Sequence, residues 1–158
     1  MKTAKMVLYS VLTIFLTASL GLAASSHHSY KAVLRGSNVV PPVETQATGE
    51  ATFKLSKDGR MLSYILTVEN LENVTAAHIH LGKKGENGGH AAGLFSGPKK
   101  EGMFSGVLAQ GVITAQDLQG KLAGKTLKDL IRIIKKGGAY VMVHTEQNPG
   151  GELRGQIM

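Results

Sequence analysis

From Ala51 to Val68 the chain alternates hydrophobic and polar residues with a period of two, interrupted once. Ala51-Thr-Phe-Lys-Leu55 sets small or apolar side chains against polar ones, Lys57-Asp-Gly59 supplies turn residues, and Leu62, Tyr64, Leu66 and Val68 then share a face. This pattern predicts a β-hairpin. Similar stretches predict strands at Ser29–Leu34, Thr75–Leu81, Met103–Val112, Ala139–His144 and Glu152–Met158. Seven strands punctuated by Gly and Pro predict an all-β chain, an antiparallel β-sandwich or barrel.

Two stretches depart from this rhythm. Thr114-Ala-Gln-Asp117 and Thr126-Leu-Lys-Asp129 carry the Thr-x-x-acid spacing of a helix start, and the second continues with Leu127, Leu130, Ile131 and Ile134 on one stripe before Gly137-Gly138. That predicts a single turn ending at Gly120 and then one short amphipathic helix of about three turns, packed as a cap on the sandwich. The segment from Gly82 to Gly93 is too rich in glycine for a regular element and reads as a surface loop carrying His90. Pro41-Pro42, within Asn38–Glu44, predicts a stiff bend after the first strand, capping the sandwich.

The N-terminus changes the picture of where the chain works. Lys2 and Lys5 precede an uncharged apolar run from Met6 to Leu22, followed by small residues at Ala23 and Ala24. Residues 1–24 are therefore expected to be a cleaved secretory signal, leaving a single domain over 25–158 in a secreted or periplasmic protein with no stable membrane span after cleavage. A retained anchor is the rival, since the run of about 17 residues approaches bilayer length. The chain contains no cysteine, which excludes a lipoprotein anchor and any disulfide.

The formal charge is +7, two units of it in Lys2 and Lys5. The other basic residues lie in scattered pairs, Lys83-Lys84, Lys99-Lys100 and Lys135-Lys136, without the interleaved aromatics that stack on bases. Nucleic acid is not an expected partner. A protein or an anionic envelope polymer is compatible with this field.

The candidate chemistry lies in histidines. His78 and His80 are two apart on a predicted strand and so share a face, and His144 ends another. The opposite faces carry Ala77, Ile79 and Leu81, and Val141 and Val143, so the histidines are expected on the outer face or in a covered recess. If the strands pair, His78, His80 and His144 form a three-imidazole site suited to copper or zinc. Glu152 is a candidate fourth ligand or a carboxylate that fixes a ring tautomer, and His90 is a further, looser candidate. The competing expectation is a hydrogen-bonded network of the histidines with Thr145, Asn148, Glu152 and Arg154 that fixes the turn at Asn148–Gly151. No activated nucleophile is visible: there is no Cys, and neither Ser63 nor Ser105 lies in a Gly-x-Ser-x-Gly motif.

Five blocks carry a family resemblance. Asn38-Val-Val-Pro-Pro-Val, Ala47-Thr-Gly-Glu-Ala-Thr-Phe, Thr75-Ala-Ala-His-Ile-His, Ile113-Thr-Ala-Gln-Asp-Leu and Ala139-Tyr-Val-Met-Val-His-Thr-Glu-Gln-Asn-Pro-Gly-Gly-Glu-Leu-Arg-Gly-Gln-Ile resemble the chordin-type (CHRD) domain over roughly Tyr30–Ile157. The resemblance implies a secreted single-domain protein. Growth-factor antagonism, the work of the animal chordins, does not follow from a shared fold.

The His-x-His strand and Asn148-Pro-Gly-Gly-Glu-Leu-Arg154 also resemble, more faintly, the copper/zinc superoxide dismutases, which implies a Greek-key, dismutase-like sandwich. Only His78, His80, His90 and His144 lie in the expected folded region, too few for two metals. The expected function is a binding or interaction module with one candidate metal site, and no enzyme activity is assigned. A copper-dependent oxidoreductase of dismutase-like ancestry is the alternative. His27 and His28, at the expected new N-terminus, are a source of adventitious metal capture.

Overall fold

The computed structural model describes residues 28–158, and the expected signal segment lies outside them. The strands are β1 (Ser29–Arg35), β2 (Thr48–Leu55), β3 (Leu62–Leu81), β4 (His90–Phe95), β5 (Lys100–Ile113), β6 (Ala139–Thr145) and β7 (Leu153–Gln156), with one helix, α1 (Leu127–Lys135), before β6. The described residues form an all-β domain with one α-helix, and every strand pairing among them is antiparallel.

The alternation of the first hairpin continues into a strand of 20 residues, β3, because its two halves serve different neighbours. Leu62–Glu69 pairs with β2 on one flank and Val74–Leu81 pairs with β6. On the other flank the first part meets β5 and the last part meets β4. β2 is joined through β1 and β7 to β6, so β2, β1, β7, β6 and β3 close a five-stranded ring. Closure at β1 is made by the Arg35/Arg154 pair and by two backbone bonds between Lys31 and Met158, 2.8 and 2.9 Å.

The sequence predicts two separate strands, Met61–Val68 and Thr75–Leu81, and they are one. Asn70 and Asn73 adopt left-handed backbone, φ 53° and 50°, where the ladder register shifts. Each is held by a bond to β5: the Asn70 amide donates to Ser105 Oγ at 2.9 Å, and the Gly102 amide donates to Asn73 Oδ1 at 2.8 Å. Such irregularities bend a strand without ending it. One closed sheet therefore stands where a pair of separate sheets is expected, and the architecture is barrel-like.

The core fills the ring with Leu62, Leu66, Val68, Ile79, Val141 and Val143, all at 0% exposure. Helix α1 buries Leu127, Leu130, Ile131 and Ile134 against this core, as its stripe predicts. Its start is fixed by Asp129, whose Oδ2 accepts the Thr126 amide at 3.0 Å and the Thr126 hydroxyl at 2.7 Å. Thr114 and Asp117 make the same box at the preceding single turn. A second, smaller apolar cluster lies on the opposite face of β6: Tyr140 and Met142, covered by Val39 and partly by Val43. Val39 and Val43, which flank the exposed Pro41-Pro42 bend, thus cover the outer face of β6 beside the histidine strand.

A second difference concerns Gly82–Gly93, expected as loop throughout. Its last residues, from His90, belong to β4 and pair with β3.

Candidate metal centre

His78, His80 and His144 come together because β3 and β6 are neighbours. The register sets His80 opposite Tyr140, His78 opposite Met142 and Ala76 opposite His144. Paired residues share a face, so the aliphatic residues between them go to the core and the three rings to the other side. Ring centroids are 5.8 Å apart for His78 and His80, 5.4 Å for His78 and His144, and 5.8 Å for His80 and His144. One nitrogen from each ring converges, all within 4.8 Å of one another.

Two of these rings are oriented by backbone carbonyls. His80 Nδ1 lies 2.9 Å from Gly88 O, and His144 Nδ1 lies 2.9 Å from Pro149 O. A carbonyl only accepts, so each Nδ1 carries the proton and each Nε2 presents a bare lone pair. Both Nε2 atoms are buried without a partner, and so is His78 Nδ1. Three clustered rings, each with an orphaned nitrogen and two of them oriented by a bond on the far side of the ring, form the arrangement that imidazole metal sites use.

Burial keeps the rings neutral. It depresses His78 from 6.5 to about 4, with smaller contributions from the neighbouring histidines. His80 is likewise lowered to about 4, chiefly by burial and against the pull of the Gly88 carbonyl. His144 is lowered by burial and opposed by the Pro149 carbonyl. Neutral imidazole is the ligating form.

The other candidates fall in different places. Glu152 does not join the cluster. Its Oε1 accepts from Thr45 Oγ1 at 2.8 Å, and its Oε2 accepts from Thr145 Oγ1 at 2.7 Å and Asn148 Nδ2 at 3.0 Å. The expected polar network of Thr145, Asn148 and Glu152 therefore exists at the 148–151 turn, and it reaches the histidines only through Pro149 O. Arg154 belongs to neither group. Its guanidinium donates to Lys83 O and Glu86 O, both at 2.8 Å, and to Asn87 Oδ1 at 3.2 Å. His90 is exposed and lies beside the cluster, its ring stacked on His78 at 4.1 Å and edge-on to His80 at 4.6 Å, outside the convergent set. His28 is exposed, and its carbonyl accepts from Leu55 N at 3.0 Å.

Sequence reasoning did not single out Tyr140. Its ring stacks on His80, with centroids 5.1 Å apart, and the Arg154 guanidinium sits 3.7 Å from the ring centroid. The Tyr140 hydroxyl accepts from Gly88 N at 3.0 Å, so the residue that orients His80 is itself held by Tyr140. The only hint in the sequence is that Tyr140 shares the face of His144.

A cleft of about 540 Å³ opens beside His78, with Tyr64, Ser96, Gln116, Asp117 and Gln119 on its walls. Among the described residues no helix is long and apolar enough to cross a membrane.

The fold and site define a small all-β domain whose single antiparallel sheet closes on itself and carries a cluster of neutral histidines outside its core. The chain belongs to the CHRD domain family, whose model matches residues 30–157. Comparison with curated proteins and with solved structures gave no match.

Proposed function

We propose that this CHRD domain is an extracytoplasmic binding module built around one transition-metal site, with His78 Nδ1, His80 Nε2 and His144 Nε2 as its ligands. The observation that carries the reading is twofold: His78, His80 and His144 each offer a ring nitrogen within 4.8 Å of the others, and each holds a buried ring nitrogen without a partner. Leaving such atoms dry and unpaired costs about 1–3 kcal/mol each, and a cation bound between them offsets that cost. An all-imidazole set without carboxylate or thiolate suits copper or zinc. The polar cleft beside His78 supports a second reading, in which an open coordination position on copper makes the protein an oxidoreductase.

Secretion rests on Lys2, Lys5 and the apolar run to Leu22. The partner of such a module is a protein or an envelope polymer, in keeping with the basic surface. The dismutase-like sandwich ancestry fits the strand carrying His78 and His80, although the sheet here is closed.

The test is metal analysis of the chain carrying His27→Ala and His28→Ala, after incubation with copper or zinc near neutral pH and removal of excess. About one metal per chain is expected, and none when His78→Ala and His80→Ala are added. No stoichiometric metal, or equal binding by the added double variant, overturns the site. Copper that cycles with a reductant and dioxygen favours the oxidoreductase. Zinc held in a closed site favours the module.

A further inference from the structure

The edge of the histidine cluster is shaped by an irregularity in β4. Ile79 pairs with Ala92, yet the next residue of β3, His80, pairs with His90, so one extra residue, Ala91, is inserted into β4 at that step. An inserted residue re-aims the side chain next to it. Without it Ala91 would stand opposite His80. With it, His90 does, and its ring comes to 4.6 Å from His80 and 4.1 Å from His78. Gly93, opposite His78, brings no side chain, and the His90 ring lies on the face of His78 while Gln119 approaches from the cleft.

The four rings differ in how they are held. His80 and His144 are each tied to a backbone carbonyl, and the orphaned Nδ1 of His78 is buried. His90 alone among them is exposed, and it makes no side-chain hydrogen bond among the described residues. The chain leading into it is pinned at Gly88, whose carbonyl meets His80 Nδ1 and whose amide donates to the Tyr140 hydroxyl, and at Gly89, whose carbonyl accepts from Leu81 N, so the freedom on this side is that of the His90 side chain. Two ligands are thus tied and a third keeps its Nδ1 buried beside them, while a fourth imidazole of the same chemistry waits on the open side, held by ring stacking, a contact worth little compared with coordination to a metal.

We propose that His90 is the exchangeable fourth ligand of this site, resting on the interaction of the metal with His78, His80 and His144. On arrival of the metal its ring turns off the face of His78 and a ring nitrogen replaces a bound water, the water leaving to solvent. On departure the exchange is reversed. The metal therefore enters and leaves at the β4 edge, and the site accepts Cu(II) from weak oxygen or nitrogen chelates and passes it on to stronger ones.

The experiment uses the chain with His27→Ala and His28→Ala, loaded with one equivalent of copper(II) sulfate near pH 7.5. Electron paramagnetic resonance is expected to count four equatorial nitrogens, and three after His90→Ala. Added imidazole should restore the fourth in that variant and leave the parent spectrum unchanged. Release of copper to excess EDTA should be at least about tenfold faster in the variant, as large as the loss seen when a mere partner of a ligand is removed. His90 is exposed, so circular dichroism of the variant should match the parent. Identical nitrogen counts and release rates in parent and variant overturn the role of His90 and leave the three-histidine site standing. Failure of the parent itself to bind copper overturns that underlying site instead.

Discussion

His78, His80 and His144 are ordinary residues in an unusual state: each holds a ring nitrogen away from water with nothing to bond to. For His78 and His80 the folded chain takes up a proton only near pH 4, whereas the unfolded chain does so near 6.5. Between those values the unfolded chain binds more protons, so falling pH favours unfolding. Metal-free protein is thus expected to hold its full stability above about pH 6.5, to lose it progressively down to about pH 4, and to level off below. The slope approaches about 1.4 kcal/mol per pH unit for each histidine that titrates in this way. Urea midpoints measured from about pH 7.5 to 4 in the presence of a chelator check this, with His80→Gln expected to remove its share of the slope. A flat profile in the parent would mean that the rings are solvated. The pairing of these histidines was legible in a spacing of two, because a strand has only two faces. Their orientation was not legible, because it is set by the carbonyls of Gly88 and Pro149, a group that every residue possesses. Arg154 was hidden for the related reason that its acceptors are mainly backbone atoms of a distant loop.

Elements were readable from sequence where one period ran unbroken. Helix α1 is such a case, with its Thr126/Asp129 box and its stripe of Leu127, Leu130, Ile131 and Ile134. β3 is the opposite case. Its buried residues run Leu66, Val68, Leu71, Val74, Ala77 and Ile79, so the step of two lengthens to three in mid-strand. In sequence this slippage reads as a strand that stops and another that starts. In the fold it is the bend at Asn70 and Asn73 that lets one strand serve both β2 and β6. The bend depends on residues that tolerate left-handed backbone. Asn73→Val is expected to destabilise the protein by about 1–3 kcal/mol through that conformation and the lost bond to Gly102 N, whereas Asn73→Gly should lose less because the backbone strain is absent. Thermal or urea unfolding of the two variants distinguishes them, and equal losses would show that the bond, not the backbone, governs the bend. β4 was missed because Gly88 and Gly89 leading into it, and Gly93 within it, carry none of the bulk that marks a strand.

At the scale of the molecule the five-stranded ring has no covalent tie, since the chain lacks cysteine. The histidine cluster joins β3 to β6 on the side away from the core, and β4 stands beside it. Metal held there binds the folded state alone, so it should stabilise by mass action, by about 2.7 kcal/mol when free metal is a hundred times the dissociation constant. Zinc should raise the urea midpoint of the parent chain and leave that of the His78→Ala/His80→Ala variant unchanged. A shift of equal size in both would place the metal elsewhere, and none in either would remove it from the account of stability.

The ring of Tyr140 against His80 has a practical side. The chain has four tyrosines and no tryptophan, so its intrinsic fluorescence comes from tyrosine, and one emitter lies in contact with a proposed ligand. A paramagnetic ion such as Cu(II) at the cluster would darken that emitter, while closed-shell zinc would leave it bright. Loading of the site with Cu(II), and displacement of that copper by zinc, can then be followed by light emitted from the unlabelled protein.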